Sequence, residues 1–149
     1  MLYNWESHDK LSAISAISVS PIRHRLGLYF DLQDTNICTD DFESFVVALL
    51  ECFTRGIILV IDRWLIHRCG ARRLRGRSRR RLDIEWLPGY APELNPVEQV
   101  WQHSKYCDLA NYAADDIFML QKAAHRSISH MQSQQALLRS FFKEAGLKI

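Results

Sequence analysis

Apolar positions along the chain change period several times, and each change marks a new element. Residues 11–19, LSAISAISV, mix β-branched and small residues, and 26–32, LGLYFDL, repeat that character after Pro21 and the basic turn Arg23-His24-Arg25. Two such runs around a short polar turn predict an antiparallel hairpin. The period then lengthens. Phe42, Phe45, Val46, Leu49 and Phe53 recur at spacings of three and four, one face of a helix. Thr39 stands where an N-cap belongs, Asp40 and Asp41 sit where the helix dipole favours negative charge, and Gly56 marks the expected end. The run IILVID, 57–62, is apolar and β-branched up to its last residue, the pattern of a strand covered on both faces in a parallel sheet.

Beyond a basic connector, LDIEWL (82–87) predicts another strand, followed by the loop PGYAPELN. Asn95 is placed to cap a third helix, with Pro96 at its first position, where a missing N–H costs nothing, and Glu98 at its third. Val97, Val100 and Trp101 would be its buried side. From about Ala113 to Ala145 the pattern is helical in two pieces, striped by Ile117, Leu120, Ala124, Ile128 and Met131, then by Leu137, Leu138, Phe141 and Phe142. Gly146 fits a C-terminal cap. Strands and helices alternate through the middle, so the fold class is α/β.

Composition adds limits. The 149 residues are sized for one domain, and 48% hydrophobic with 24% charged residues is ordinary for a globular chain. No apolar run approaches the ~20 residues of a membrane helix, and the start MLYNWESHDK does not read as a secretory signal. Cys38, Cys52, Cys69 and Cys107 are scattered without a C-x-x-C pair, against a zinc site or disulfide framework and suited to the cytoplasm.

The net charge of +2 conceals an asymmetry. Arg68 to Arg81 holds eight arginines and no acid, leaving 11 of the 19 basic residues against all 17 acidic ones, a balance of −6. Positive charge concentrated this way faces a polyanion, or it is a solvated connector kept polar by its arginines.

Two carboxylates carry the chemistry. Asp62 ends the apolar strand, at the carboxyl edge where open α/β sheets bind ligands; it could equally cap the next turn or pair with Arg63. Glu98 opens its helix beside the Pro- and Gly-rich loop; it could equally close a capping box on Asn95. Carboxylates without a His/Cys cluster favour Mg²⁺ or Mn²⁺, and paired ions of this kind support in-line phosphodiester displacement. His67 would orient a carboxylate or touch a phosphate, or be a plain turn residue. Trp86 and Trp101 read as core more readily than as nucleobase platforms.

The segments ILVIDRWLIHR, 58–68, and LPGYAPELNPVEQVW, 87–101, resemble the catalytic core of bacterial insertion-sequence transposases of the mariner superfamily. The 35 residues between Asp62 and Glu98 match that family's spacing, and the tail LLRSFFKEAGLKI looks familial too. The resemblance implies a ribonuclease-H-like mixed sheet with C-terminal helices. It makes Asp62 and Glu98 the second and third members of a catalytic, metal-binding triad, supported by His67, Asn95 and Pro96. Two Mg²⁺ ions would support cleavage at transposon ends and strand transfer into target DNA. Arg68, Arg72, Arg73, Arg75, Arg77, Arg79 and Arg80 would contact the DNA.

Two departures accompany the resemblance. Arg63 stands where the family has a small or amide residue. The first Asp, on a first central strand upstream of the hairpin, has no counterpart: Asp9 lies on a polar stretch and Asp31 ends an edge-side strand. Residues 1–149 are therefore expected to form a partial catalytic domain, without that strand and without the N-terminal DNA reader. The missing strand would pair with both the hairpin and IILVID. Each buried group left unpaired would cost about 1–3 kcal/mol against a stability of about 5–15 kcal/mol. The expectation is an inactive fragment that needs an upstream transposase polypeptide or homo-oligomer. The alternatives are a DNA-binding remnant acting through Arg68–Arg81, or a remnant without function.

Overall fold

The computed structural model describes residues 2–3, 10–77, 80–89, 91–114 and 116–149. The chain divides into two compact units, one formed by Met1–Asn36 with Pro96–Ile149 and the other by Ile37–Asn95.

The first unit is built on the hairpin. Strands β2 (Lys10–Val19) and β3 (Leu26–Gln33) pair antiparallel, with Ile14 opposite Asp31 and Val19 opposite Leu26. The connecting turn closes through Ser20 N–H to Arg25 O at 2.9 Å and His24 N–H to Ser20 O at 2.9 Å, and places His24 at φ 48°. A two-residue strand, β1 (Leu2–Tyr3), pairs antiparallel with Leu11 and Lys10 on the side of β2 away from β3. Sequence pattern had no means of showing it, because two residues carry no period.

Helices α3 (Pro96–His103), α4 (Ile117–Gln132) and α5 (Gln135–Glu144) complete this unit. Its core joins Leu11, Leu26, Leu28 and Leu32 of the hairpin to Val100, Leu120, Ala124, Ile128, Met131, Leu138, Phe141 and Phe142. The expected stripes on both C-terminal helices are the buried ones, with Ile117 and Leu137 at the margin. Gly146 takes φ 72°, the left-handed C-terminal cap. Asp116 caps α4 by accepting from Met119 N–H at 2.7 Å.

Three glutamines bind the backbone of β3. Gln121 donates to Leu32 O at 3.2 Å and Gln132 to Leu28 O at 2.8 Å; Gln135 both donates to Leu26 O at 2.8 Å and accepts from Leu26 N–H at 2.9 Å. They satisfy groups on the strand edge that β2 does not use.

The second unit runs α1 (Thr39–Cys52), β4 (Ile57–Ile61), α2 (Leu65–Arg77), β5 (Leu82–Trp86) and a short 3₁₀ turn (Pro92–Leu94). Strands β4 and β5 are parallel, with Ile57 beside Leu82 and Ile61 beside Trp86. Phe42, Val46, Leu49, Leu50, Ile61, Ala71, Leu74, Leu82 and Ile84 are buried.

Four expectations are corrected in this unit. The basic connector is not a loop: Arg68 through Arg77 belong to α2. Strand β4 is not covered on both faces; Ile58 and Val60 are 69% and 55% exposed, alternating with less exposed neighbours. Thr39 is the first helical residue of α1 and Cys38 the cap, whose N–H donates to Asp41 at 2.7 Å. Finally α1 stops at Cys52. Gly56 instead precedes β4, where a β-carbon would crowd the Arg81 carbonyl oxygen at 3.0 Å.

Candidate functional site

Asp62 follows the last residue of β4, so the strand delivers its side chain at the carboxyl edge of the parallel pair. Its Oδ1 accepts the Trp64 N–H at 3.0 Å, a turn-capping bond that brings the chain round into α2. The same oxygen lies 2.6 Å from Nδ1 of His67, in the first turn of that helix. Both bonds fall on Oδ1, and the Asp62 side chain is 42% exposed against 19% for His67. The turn-capping bond and the His67 contact thus meet on one atom.

The imidazole is itself supported. Phe42 of α1 packs against it with centroids 4.8 Å apart, and Trp64 meets it edge-on at 5.5 Å and 88°. A ring held on two sides fixes which way its nitrogen points, and with it the Asp62 carboxylate. Arg63 does not pair with Asp62 among the described residues; its Nε reaches towards Leu87 O at 3.5 Å.

The arginines of α2 separate into faces. Arg73 donates to Asp40 at 2.8 Å and Glu43 at 3.0 Å. Glu43 first, then Asp40, hold its guanidinium above its ordinary pKa. Arg68, Arg72 and Arg75, at spacings of four and three, share another face. With Arg63, Ala71 and Trp86 they line an open cavity of about 450 Å³. Arg81 binds Leu50 O at 2.8 Å and Phe53 O at 2.5 Å, the open carbonyl end of α1. Arg80 is exposed in the turn before β5. Arg79 and the Arg77 side chain lie outside the described residues.

Glu98 belongs to the other unit, where it is the third residue of α3 and partly buried. Pro96 opens the helix as expected, and the Asn95 N–H donates to Pro92 O at 2.9 Å, closing the preceding turn. Val100 anchors α3 in the core. At its far end the chain passes through a π-turn (Ser104–Asp108), where Ser104 Oγ meets Ser127 Oγ of α4 at 2.9 Å and Ser127 donates to Asp108 at 2.7 Å. That buried bond ties the π-turn that follows α3 to α4.

The structure therefore brings Asp62 and His67 together, groups Arg68, Arg72 and Arg75, and sets Arg73 and Arg81 to work within their own unit. Asp31, weighed as a carboxylate on β3, accepts its neighbour's Leu32 N–H at 2.9 Å; Asp9 lies outside the described residues. No cluster of three or more His, Cys, Asp or Glu side chains able to hold a metal occurs among the described residues. No helix among them is long and apolar enough to cross a membrane. What the sequence missed is the cavity around Trp86, because the arginines share a face only once α2 is a helix.

A family model described as DDE superfamily endonuclease matches residues 2–119. Neither the comparison with curated proteins nor that with solved structures returned a match.

Proposed function

Because the chain belongs to the DDE superfamily of endonucleases, we propose that it is the Asp62- and Glu98-bearing part of a mariner-type insertion-sequence transposase. Its fold would be the ribonuclease-H-like sheet and its substrate the transposon ends and target DNA, in the bacterial cytoplasm. The observation that carries the reading is the Asp62–His67 pair, an exposed carboxylate at a parallel strand end, oriented through one oxygen.

The donor chemistry fits a hard divalent ion. Oδ2 of Asp62, the oxygen that neither His67 nor Trp64 uses, suits Mg²⁺ or Mn²⁺, as does the Glu98 carboxylate. Bound there, such ions would supply a Lewis acid and an activated oxygen for phosphodiester displacement. The chain's own residues do the positioning: His67 holds Asp62, and the turn to Trp64 fixes the backbone beneath it. In this reading a further carboxylate completes the site with Asp62 and Glu98.

The test joins these residues to a segment bearing a strand that ends in Asp, and measures plasmid nicking in Mg²⁺. Nicking that depends on Asp62 and Glu98 is expected. Equal cutting by the Asp62→Ala protein would overturn the assignment.

The grouping of Arg68, Arg72 and Arg75 favours a second reading alongside it, in which the chain holds DNA without cutting it. Such binding would persist in EDTA and compete with an intact transposase.

A further inference from the structure

The cavity on α2 has walls of unlike chemistry. Arg63, Arg68, Arg72 and Arg75 line it, and so does Trp86. Among the described residues no carboxylate is paired with any of the four, in contrast to Arg73, which is held by Asp40 and Glu43. Ala71, nearly fully buried, also lines it. Trp86 lies beside Ile61 in the sheet register, so it stands at the same strand end from which Asp62 departs.

A purely electrostatic duplex contact needs no aromatic wall, since phosphates are met at the surface by Lys and Arg alone. A small anion would need no ring either. Arginines lining a cleft together with a partly exposed tryptophan are the combination that holds a single strand, whose bases have free π-faces and whose phosphates track the cations. The volume lies within the roughly 300–1,000 Å³ of clefts that enclose small organic ligands, adequate for one base.

We infer that this cavity is a single-strand subsite: an unpaired deoxynucleotide stacks its base on Trp86 while its flanking phosphates lie between Arg72 and Arg75 on one side and Arg63 and Arg68 on the other. The inference rests on the reading of the chain as a DNA-acting protein, and adds to it a requirement for a base unpaired near the Asp62 edge. Arg63 thereby has a role in binding DNA.

The test is fluorescence anisotropy of the full chain in EDTA. The probes are labelled oligodeoxythymidine on the order of eight nucleotides long, an abasic strand of equal length and charge, and the corresponding duplex. Oligodeoxythymidine should bind about tenfold more tightly than the abasic strand, the stacking of one base. Trp86→Ala should erase that difference and Trp86→Phe should keep most of it. Arg72→Gln with Arg75→Gln should weaken both strands alike and lower the salt slope. Equal binding of the two strands by the unaltered chain overturns the inference, as does a base preference that survives Trp86→Ala. Should Trp86→Ala not fold, the abasic comparison and Trp86→Phe still decide. The assay omits metal, so the two proposals fail separately: lost base preference with Asp62-dependent nicking intact condemns this pocket alone, and the reverse condemns the cleavage reading alone.

Discussion

Gly70 of α2 lies so close to the ring of Phe42 that a β-carbon at that position would overlap Cδ1 and Cε1. The same ring supports His67, one turn earlier on the helix. A methyl group at Gly70 should therefore push on the imidazole that orients Asp62. Alanine improves intrinsic helix propensity by about 1 kcal/mol, whereas overpacking costs about 1–3 kcal/mol. Gly70→Ala is expected to lower stability on balance, read as a smaller denaturant midpoint. A gain in stability would show that α1 and α2 can separate without cost.

His67 acts through Asp62 and should be tested apart from it. In the completed enzyme, His67→Ala is expected to reduce metal affinity or nicking about 10–100-fold, the usual loss when a group orienting a ligand is removed. Asp62→Asn should abolish nicking. Titration with Mn²⁺ checks the first effect, and an unchanged affinity would make His67 merely part of the turn.

Arg81 and Arg72 carry the same charge and should behave oppositely. Arg81 holds two carbonyls at the end of α1, so Arg81→Ala should cost about 1–3 kcal/mol of stability with little change in affinity for DNA. Arg72→Ala should do the reverse. Paired melts and binding curves separate the two.

Within α2 the salt dependence of DNA binding should follow the faces. Replacing Arg68, Arg72 and Arg75 with glutamine should flatten the slope of log affinity against log salt by about 0.9 for each duplex phosphate released. Arg73→Gln should change the slope less, because Asp40 and Glu43 already neutralise its charge.

Much of this was legible in the residues themselves. The hairpin, the stripes of α4 and α5, and the Pro96 start of α3 follow from period and the conformational preference of proline, which are local. Helix α2 escaped because its apolar positions, chiefly Ala71 and Leu74, are too few to set a period, and Gly70 and Gly76 argue against a helix. Gly70 is explained only by Phe42, almost thirty positions earlier. The exposure of Ile58 and Val60 was hidden for a similar reason: an apolar run states what a strand would bury, not what is there to cover it. Asp62 was visible as a strand end, but that His67 and Trp64 converge on one of its oxygens is a matter of the turn's geometry.

Gln121, Gln132 and Gln135 have a last consequence. By occupying the backbone groups of β3 at Leu26, Leu28 and Leu32, they act as a seal along one margin of the sheet. A strand joining at that margin would have to displace these side chains, whereas at the β2 margin β1 already pairs by backbone with Lys10 and Leu11. The two borders of the hairpin thus differ in kind, one dressed by side-chain amides and the other extended by main-chain pairing.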